Sequence, residues 1–540
     1  MSIADEMIRQ QQDIEATRGD WEHHWQEIAE RVFPRASIFN QIESRGTKRT
    51  ERVFDSTPML ALERFAAVLE SMLTPRTQMW HDLSSTNHEL NEIRRVKMWF
   101  DETRRILFEQ RYKTRSNFAS QKHEGYMQLG AFGTGSMFID AFDEGGIRYR
   151  SIHLGETYIA QNHQGLVDTY FRKFRMTAHE ARSNPKWEKT LPDKIKNSVS
   201  GQQYFDFLHC VKPRKDADPF RRDGLGMPWA SYYICITDRS ILSEGGYRTF
   251  PYSIDRYVTN VDETYGRSPA MMVLADIKML NEMSKTDIRA VHKLVDPPLL
   301  LHNDGILGAG VSTVDMRPNA LNFGAVNADG KQLIHPFQSG ARVDIAESKM
   351  EQRRKSINDA FLVTLFQILV ENPRMTATEA LIRAQEKGAL LTPAMGRQQS
   401  ESLGPMIERE LDVLQSQGLI PPLPPEMIEA NGEYKIIYTS PLSRLQRAEE
   451  VTGIQRTFEM LTPFAQVNPD VFEVFNFDEI ARISADVNGV PARALRSRDE
   501  VNQIIQQKNQ QEQLAQLAAT AQPTASAIKD VAAAQALQNG

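Results

Sequence analysis

Cysteine is nearly absent. The chain of 540 residues holds two, Cys210 and Cys235. That is too few for a disulfide scaffold or a four-cysteine zinc site, and it fits a reducing compartment. Long apolar runs are missing too. The longest candidate, Ala360 to Val370, is interrupted by Thr364 and Gln367 and falls short of the roughly 18 residues a membrane span needs. The N-terminus, MSIADEMIRQQQDIEATRGD, lacks the apolar core of a secretory signal. The expectation is a soluble protein made in the cytoplasm, with no membrane partner. A basic excess is also lacking: 64 Lys and Arg face 70 Asp and Glu, a net charge of −6. A generally basic nucleic-acid-binding exterior is thereby excluded, and any DNA contact must be local.

Signatures of chemistry are scarce. Gly130, Gly133 and Gly135 lie in the run GAFGTGS, but no Lys follows as GK[ST], and the segment runs from helix to strand. A phosphate loop needs that Lys and the opposite order, so packing or a turn is the reading. There is no GxSxG elbow and no HExxH. His23 and His24 are adjacent and point to different sides of a helix, which does not suit zinc. Asp140, Asp143 and Glu144 sit at a solvated turn, not in an acid–base pair. The sequence therefore offers no catalytic residue, no metal ligands and no cofactor, and the chain reads as a non-enzyme.

What is present is ordinary globular material. Apolar residues make up 41% and charged residues 25%, enough for a core. The length suggests about three or four structural units. The first stretch reads as helices. Trp21, Trp25, Ile28 and Val32 share a face until Pro34, and Leu62, Phe65, Ala66, Leu69 and Leu73 form a stripe between Pro58 and Pro75. One helix is expected over Leu90 to Tyr112. From Gly135 the period changes to short strand-like runs, continuing to Tyr257, an antiparallel region and not alternating β-α units. The fold class is α+β, mostly helical.

Pro269 to about Val295 reads as one helix, with Val273, Ile277, Leu280, Ile288, Val291 and Val295 as its apolar seam. Lys278, Lys285, Arg289 and Lys293 recur at spacings of seven, four and four, within about 80° around the axis. A second long helix is expected from about Asp344 to Val370, with Lys349, Arg353, Arg354 and Lys355 in its first half. The stripes have two readings: solvated faces, or faces turned to a polyanion. Between the helices lies a Gly-, Asn- and Pro-rich insertion with short strand-like pieces. Glu371, Asn372, Pro373, Arg374 and Met375 break the second helix, and Thr376 to Glu379 is a capping box that starts another. Thr392-Pro393 starts a helix ending near Gly418, and Glu433 to Thr439 is strand-like. Residues Asn502 to Gly540 hold ten Gln, ten Ala and only four charges, a composition open to a solvated helix, a self-packing helix or disorder.

Several segments carry a family resemblance. They are Asp55-Ser56-Thr57-Pro58, Leu73-Thr74-Pro75 with Trp80, Phe132-Gly133-Thr134-Gly135, and Val167-Asp168 with Arg172-Lys173-Phe174. The most specific is Glu263-Thr264-Tyr265-Gly266-Arg267-Ser268-Pro269 with Asp276-Ile277-Lys278-Met279-Leu280-Asn281. Met375-Thr376-Ala377-Thr378-Glu379 and Tyr438-Thr439-Ser440-Pro441-Leu442 follow. In this order and spacing, over roughly residues 15–505, the chain resembles the portal, or head-to-tail connector, proteins of short-tailed phages.

The resemblance implies a homo-oligomeric ring, usually a dodecamer, at one capsid vertex of the virion. It would conduct double-stranded DNA into the head and out of it. The implied parts are a wing (1–268), stem helices (269–295 and 342–370), a clip (296–341), a tunnel loop (371–376), a return through the wing (377–480), and a crown with the Gln/Ala tail (481–540). Implied partners are the terminase large subunit, tail adaptor and nozzle proteins, and the major capsid and scaffolding proteins. Lys278, Lys285, Arg289, Lys293, Lys349 and Arg353 become candidates to face the DNA, although the stripe could equally face the outer wall. The alternatives are a phage adaptor or scaffold that forms no ring, and a nucleic-acid-processing enzyme. The latter would need a carboxylate metal cluster or a P-loop.

Overall fold

The computed structural model describes residues 2–36, 39, 46–218, 220–221, 223–295, 299–301, 329–332, 334–336, 343–363, 396–430, 433–439, 441–465, 469–487, 490, 494–496 and 500–513. The chain divides into two compact units of mixed helix and strand, Met1–Arg76 with Gln110–Gln417, and Thr77–Glu109 with Gly418–Gly540.

In the first unit, the expected antiparallel region is two sheets. Thr157–Gln161, Val167–Thr177, Tyr204–Pro213, Trp229–Cys235 and Ser240–Tyr247 run antiparallel in that order. Side chains alternate faces along each strand. Leu208 and Cys210 therefore join Tyr158, Phe171 and Ile234 on one face, against Ala4, Met7 and Ile8 of the helix Ile3–Ala16. Phe207 and Cys235 join Phe174, Trp187, Leu191 and Ile195 on the other. Both cysteines are free and buried.

The second sheet has Thr134–Ala141 at its centre, between Ile147–Ile152 and Tyr252–Arg256. Every residue of Tyr252–Arg256 is buried. The edge strand Ile147–Ile152 alternates buried and exposed side chains over its first four residues. The helix Phe118–Phe132 is buried for almost its whole second half. It lies between this sheet and the helix Thr57–Leu73. Gly130 marks the contact: a Cβ there would lie 2.6 Å from Leu62 and 2.7 Å from Phe65.

The helix over Gly19–Val32 buries Trp25, Ile28 and Val32, as their spacing predicts, and stops before Pro34. Its junction with Ile3–Ala16 is held by Arg18, which is out of water and lies over the rings of Tyr158 and Trp25, at 4.3 and 4.9 Å. One guanidinium nitrogen donates to Leu154 O at 2.7 Å.

Three helix boundaries differ from expectation. The stretch expected as one helix from Pro269 begins with a separate turn, Pro269–Met272, before Leu274–Val295. The Ser268 hydroxyl caps that turn at Met271 N, 3.0 Å, and donates to Ala131 O at 2.8 Å. The turn is thus pinned to Phe118–Phe132, and Val273 absorbs the difference at φ −110°, ψ 17°. The second long helix, expected from about Asp344 to Val370, runs over Val343–Ala360 and is then interrupted: Leu362 turns left-handed at φ 61° between the buried Phe361 and Val363, and Val363 is helical again. Residues 364–370 lie outside the described ones. Leu90 to Tyr112 is two helices, His88–Glu92 and Arg94–Arg111, because Ile93 is extended at ψ 116°.

The second unit also holds a strand the sequence did not suggest. His81–Ser85 pairs antiparallel with Tyr434–Tyr438, the strand-like run expected near Glu433. The helices Pro441–Ala465 and Phe477–Val487 meet around Phe458, whose ring lies 5.1–5.7 Å from those of Phe472, Phe475 and Phe477. Residues 500–513 are helical. The remainder of the Gln/Ala tail lies outside the described residues. So do Glu371–Met375, the capping box at Thr376, the Thr392-Pro393 start and most of 296–341. Within that last stretch Leu299–Leu301 pairs antiparallel with Ile334–Pro336.

Candidate functional site

The candidate site is the pair of long helices, Leu274–Val295 and Val343–Ala360. They lie antiparallel, since Asp276 meets Arg353 and Ser356 while Ser284 meets Met350. Ile277, Leu280, Met350 and Ile357 are buried. Farther along the first helix the seam is uncovered. Ile288, Val291 and Val295 are exposed, as is Ile345 opposite.

A short segment, Arg52 to Thr57, clamps the covered end. Asn281 accepts from Phe54 N at 2.8 Å and donates to Arg52 O at 2.9 Å. Asp55 accepts from Thr57 N at 2.9 Å, from Arg354 Nε and Nη2 at 3.1 and 3.0 Å, and from Ser284 Oγ at 3.4 Å. Burial pushes the Asp55 carboxyl up, but these hydrogen bonds and the Arg354 charge outweigh it and hold it below the usual carboxylate range. Asp276 accepts from Arg353 at 2.8 Å and Ser356 at 3.0 Å. Asp55, Asp276 and Asn281 all lie in the segments that carry the family resemblance, and this clamp is what they build.

The six candidate cations divide in two. Lys278 is paired with Glu27, and Arg353 with Asp276 at 2.8 Å. Lys285 lies 3.5 Å from Glu282 and over the Phe54 ring at 5.5 Å. Arg289, Lys293 and Lys349 are exposed and form no ion pair with another described residue. The stripe read as continuous from its spacing is therefore half engaged within the chain. The half without an ion pair among the described residues lies at the uncovered end, beside Ile288, Val291 and Val295. Sequence reasoning missed the carboxylates that engage the other half, because Glu27 lies far from Lys278 along the chain and Asp276 far from Arg353. Among the described residues no group of His, Cys, Asp and Glu could hold a metal ion, and no helix is long and apolar enough to cross a membrane.

The glycine run GAFGTGS is accounted for by packing. Gly133 ends Phe118–Phe132 at φ 75°, and its backbone meets that of Gly266 so closely that a Cβ on either would lie 2.3 or 2.2 Å from the other's carbonyl oxygen. Gly266 N donates to Thr134 Oγ1 at 2.8 Å and Tyr257 N to Gly133 O at 2.9 Å. Two of the resemblance motifs are thus one contact.

The chain is similar to known proteins along nearly its whole length. A probable portal protein of Bordetella phage BPP-1 is 30% identical over 521 residues, covering 94% of this chain and 91% of that protein. A portal protein of Salmonella phage epsilon15 is 25% identical over 548 residues, covering 98% and 95%. Among solved structures, the neck of a native gene transfer agent particle, computed with C12 symmetry, is similar over 79% of this chain and 94% of that one, at 11% identity and TM-score 0.37. The pattern described as "Bacteriophage head to tail connecting protein" matches residues 4–495, and the chain belongs to that family.

Proposed function

We propose that copies of this chain close into a ring, the dodecamer of portal proteins, at one vertex of a phage capsid, and that double-stranded DNA passes through its centre in packaging and ejection. The observation that carries this reading is the family match over residues 4–495, with a portal relative 30% identical across nearly all of both chains. The two long helices are the stem, and 296–341 is the clip on which a terminase and then tail proteins dock. Residues 371–376 are the tunnel loop, and the second unit contributes the crown. Capsid and scaffolding proteins meet the ring's outside. The chain does no chemistry itself, and a partner supplies the energy.

The uncovered seam of Ile288, Val291 and Val295 fits a neighbouring copy in such a ring, since its burial is worth about 25 cal/mol per Å². Arg289, Lys293 and Lys349 then form rings of charge in an otherwise acidic assembly, giving DNA weak, local and salt-sensitive contacts that suit sliding. Lys278, Lys285 and Arg353 already have carboxylate partners within the chain.

The test is native mass spectrometry with electron microscopy of the full-length protein. The expected species is a ring with a central hole. A chain that stays monomeric even with scaffolding protein added would leave the non-ring adaptor as the better reading. Reversal of Arg289 and Lys293 (Arg289→Glu with Lys293→Glu) should lower DNA packaging or retention several-fold while rings still form. Normal packaging would put that face on the outer wall.

A further inference from the structure

The two sheets of the first unit meet along an aromatic seam. Tyr170 and Tyr252 stack at 3.6 Å, and Phe138 lies 5.0 Å from Tyr252 and 5.7 Å from His209. The segment Arg172-Lys173-Phe174, which carries part of the family resemblance, lies in the strand Val167–Thr177, outside the paired long helices. Side chains two apart on a strand share a face. Arg172 therefore follows Tyr170 on the face turned to the three-stranded sheet, and it is buried there.

The three-stranded sheet brings two more arginines to the seam. In the register of its edge strand, Arg150 stands opposite Phe138 and Arg148 opposite Asp140. Both therefore share the face of Phe138, and both reach solvent. Residues two apart on a strand are separated by about 7 Å, so two long guanidinium side chains at that spacing can close on one group.

The nearby carboxylates do not match these cations. Glu156 is taken by Arg172, at 2.9 Å from Nε and 2.8 Å from Nη2. Asp140 lies 3.8 Å from Arg409, which also holds Asp412 at 2.8 Å. Arg148 and Arg150 form no ion pair with another described residue. Partial burial, and next the charge of Arg172, hold Arg150 below the usual arginine range; Arg148 adds to this and Glu156 opposes it. Like charges gathered at a partly dry edge disfavour one another, and an anion between them removes that penalty.

We propose that the mouth of the seam, lined by Arg148, Arg150 and Arg172, is a binding site for a small oxyanion of the phosphate class. A guanidinium fork matches two oxygens of such an ion, and Arg148 and Arg150 offer two forks from one sheet. Arg172, fixed by Glu156 and lying 4.5 Å over the Phe174 ring, supplies positive charge from the other. Three guanidinia against the single carboxylate of Glu156 leave two positive charges, which a phosphate dianion balances. The bound ion bridges the two sheets and adds a polar tie to their aromatic contact. The site does not depend on ring formation.

The test is hydrogen exchange of the full-length chain in inorganic phosphate and in chloride, at equal ionic strength and pH. Amides of Ile147–Ile152 and Val167–Thr177 should slow saturably, by about tenfold once phosphate reaches about ten times its midpoint. In Arg148→Gln with Arg150→Gln the slowing should fall below about twofold. Both side chains reach solvent without an ion pair among the described residues, so this variant should fold. Arg150→Lys keeps the charge but loses the fork, and should raise the midpoint several-fold while the effect persists. Slowing that never saturates, or that is equal in the wild type and the double variant, is general salt stabilisation and overturns the site. A DNA duplex that protects these strands where phosphate does not would make the arginines a contact for a polyanion, and overturns it too.

Discussion

Arg111 and Glu410 form a bidentate ion pair with neither side chain exposed to water. Arg111 Nε donates to Glu410 Oε1 at 3.1 Å, Nη2 donates to Oε2, and the Tyr149 hydroxyl donates to Oε1 at 2.7 Å. The three residues, all in the first unit, come from the end of one helix, the middle of another and an edge strand. A buried pair is weak evidence for net stability, but breaking one is expensive. Arg111→Met should destabilise the first unit by about 3–5 kcal/mol, because it strands the Glu410 carboxylate. Arg111→Met with Glu410→Leu should lose clearly less. Thermal unfolding of the single and double variants checks this, and equal losses would argue that packing, not charge, is at stake.

Gly133 and Gly266 give a sharper prediction. Their backbones approach too closely for any Cβ, and Gly133 is also left-handed. Gly133→Ala and Gly266→Ala should each yield little soluble protein, while Gly165→Ala, at a left-handed position with open space around it, should cost only about 1 kcal/mol. Soluble expression of the three variants side by side is the measurement. Full solubility of the first two would mean that the segments can part.

The contrast between these sites shows what was legible in the sequence. Helix faces were readable because their period is local: Trp25, Ile28 and Val32 are buried as spaced. The antiparallel sheets were readable for the same reason. The strand His81–Ser85 was not, because HDLSS has no strong alternation and its partner lies hundreds of residues away. The π-helical turn Gln398–Leu403 was missed although Gly404-Pro405 inside a helical stretch marks a fault there. At the candidate site the cation stripe was legible as a face. Which cations are engaged was not, because Glu27 and Asp276 are brought to Lys278 and Arg353 only by tertiary packing. The apolar seam likewise gave no sign that Ile288 and Val291 would stay uncovered in a single chain.

His209 makes stability depend on pH. Its ring is buried, stacked on Tyr233 at 4.0 Å, with Nδ1 2.6 Å from Tyr252 OH and Nε2 3.0 Å from Ser231 Oγ. Burial, and next the Arg172 charge, push it down to about 3. The folded value lies below the unfolded one of about 6.5. The contribution is therefore complete above pH 6.5 and is lost as pH falls toward 3. Between pH 6.5 and 5 the loss should be about 2 kcal/mol. His209→Phe, although less stable at neutral pH, should show a flatter profile. Denaturant unfolding at several pH values reads both curves, and parallel curves would remove His209 as the cause.

Asp55 acts in a lower window and at the stem. Its carboxyl is held below the usual range because hydrogen bonds from Thr57 and Arg354 and the Arg354 charge outweigh its burial. A depressed carboxyl contributes above the unfolded value of about 4 and ceases to do so as pH falls through the folded one. The clamp on the two long helices should thus be intact at pH 5 and loosen below about pH 4. Asp55→Asn keeps the size and one acceptor but loses the charge-assisted bonds to Arg354, worth about 1.5–3 kcal/mol. Hydrogen exchange of Leu274–Val295 and Val343–Ala360 should therefore be faster in the variant at pH 5. The difference from the wild type should shrink as the pH is lowered to 3, because acid does to the wild type what the substitution does at any pH. A difference that persists unchanged at pH 3 would mean that shape at position 55, and not the carboxylate, holds the helices.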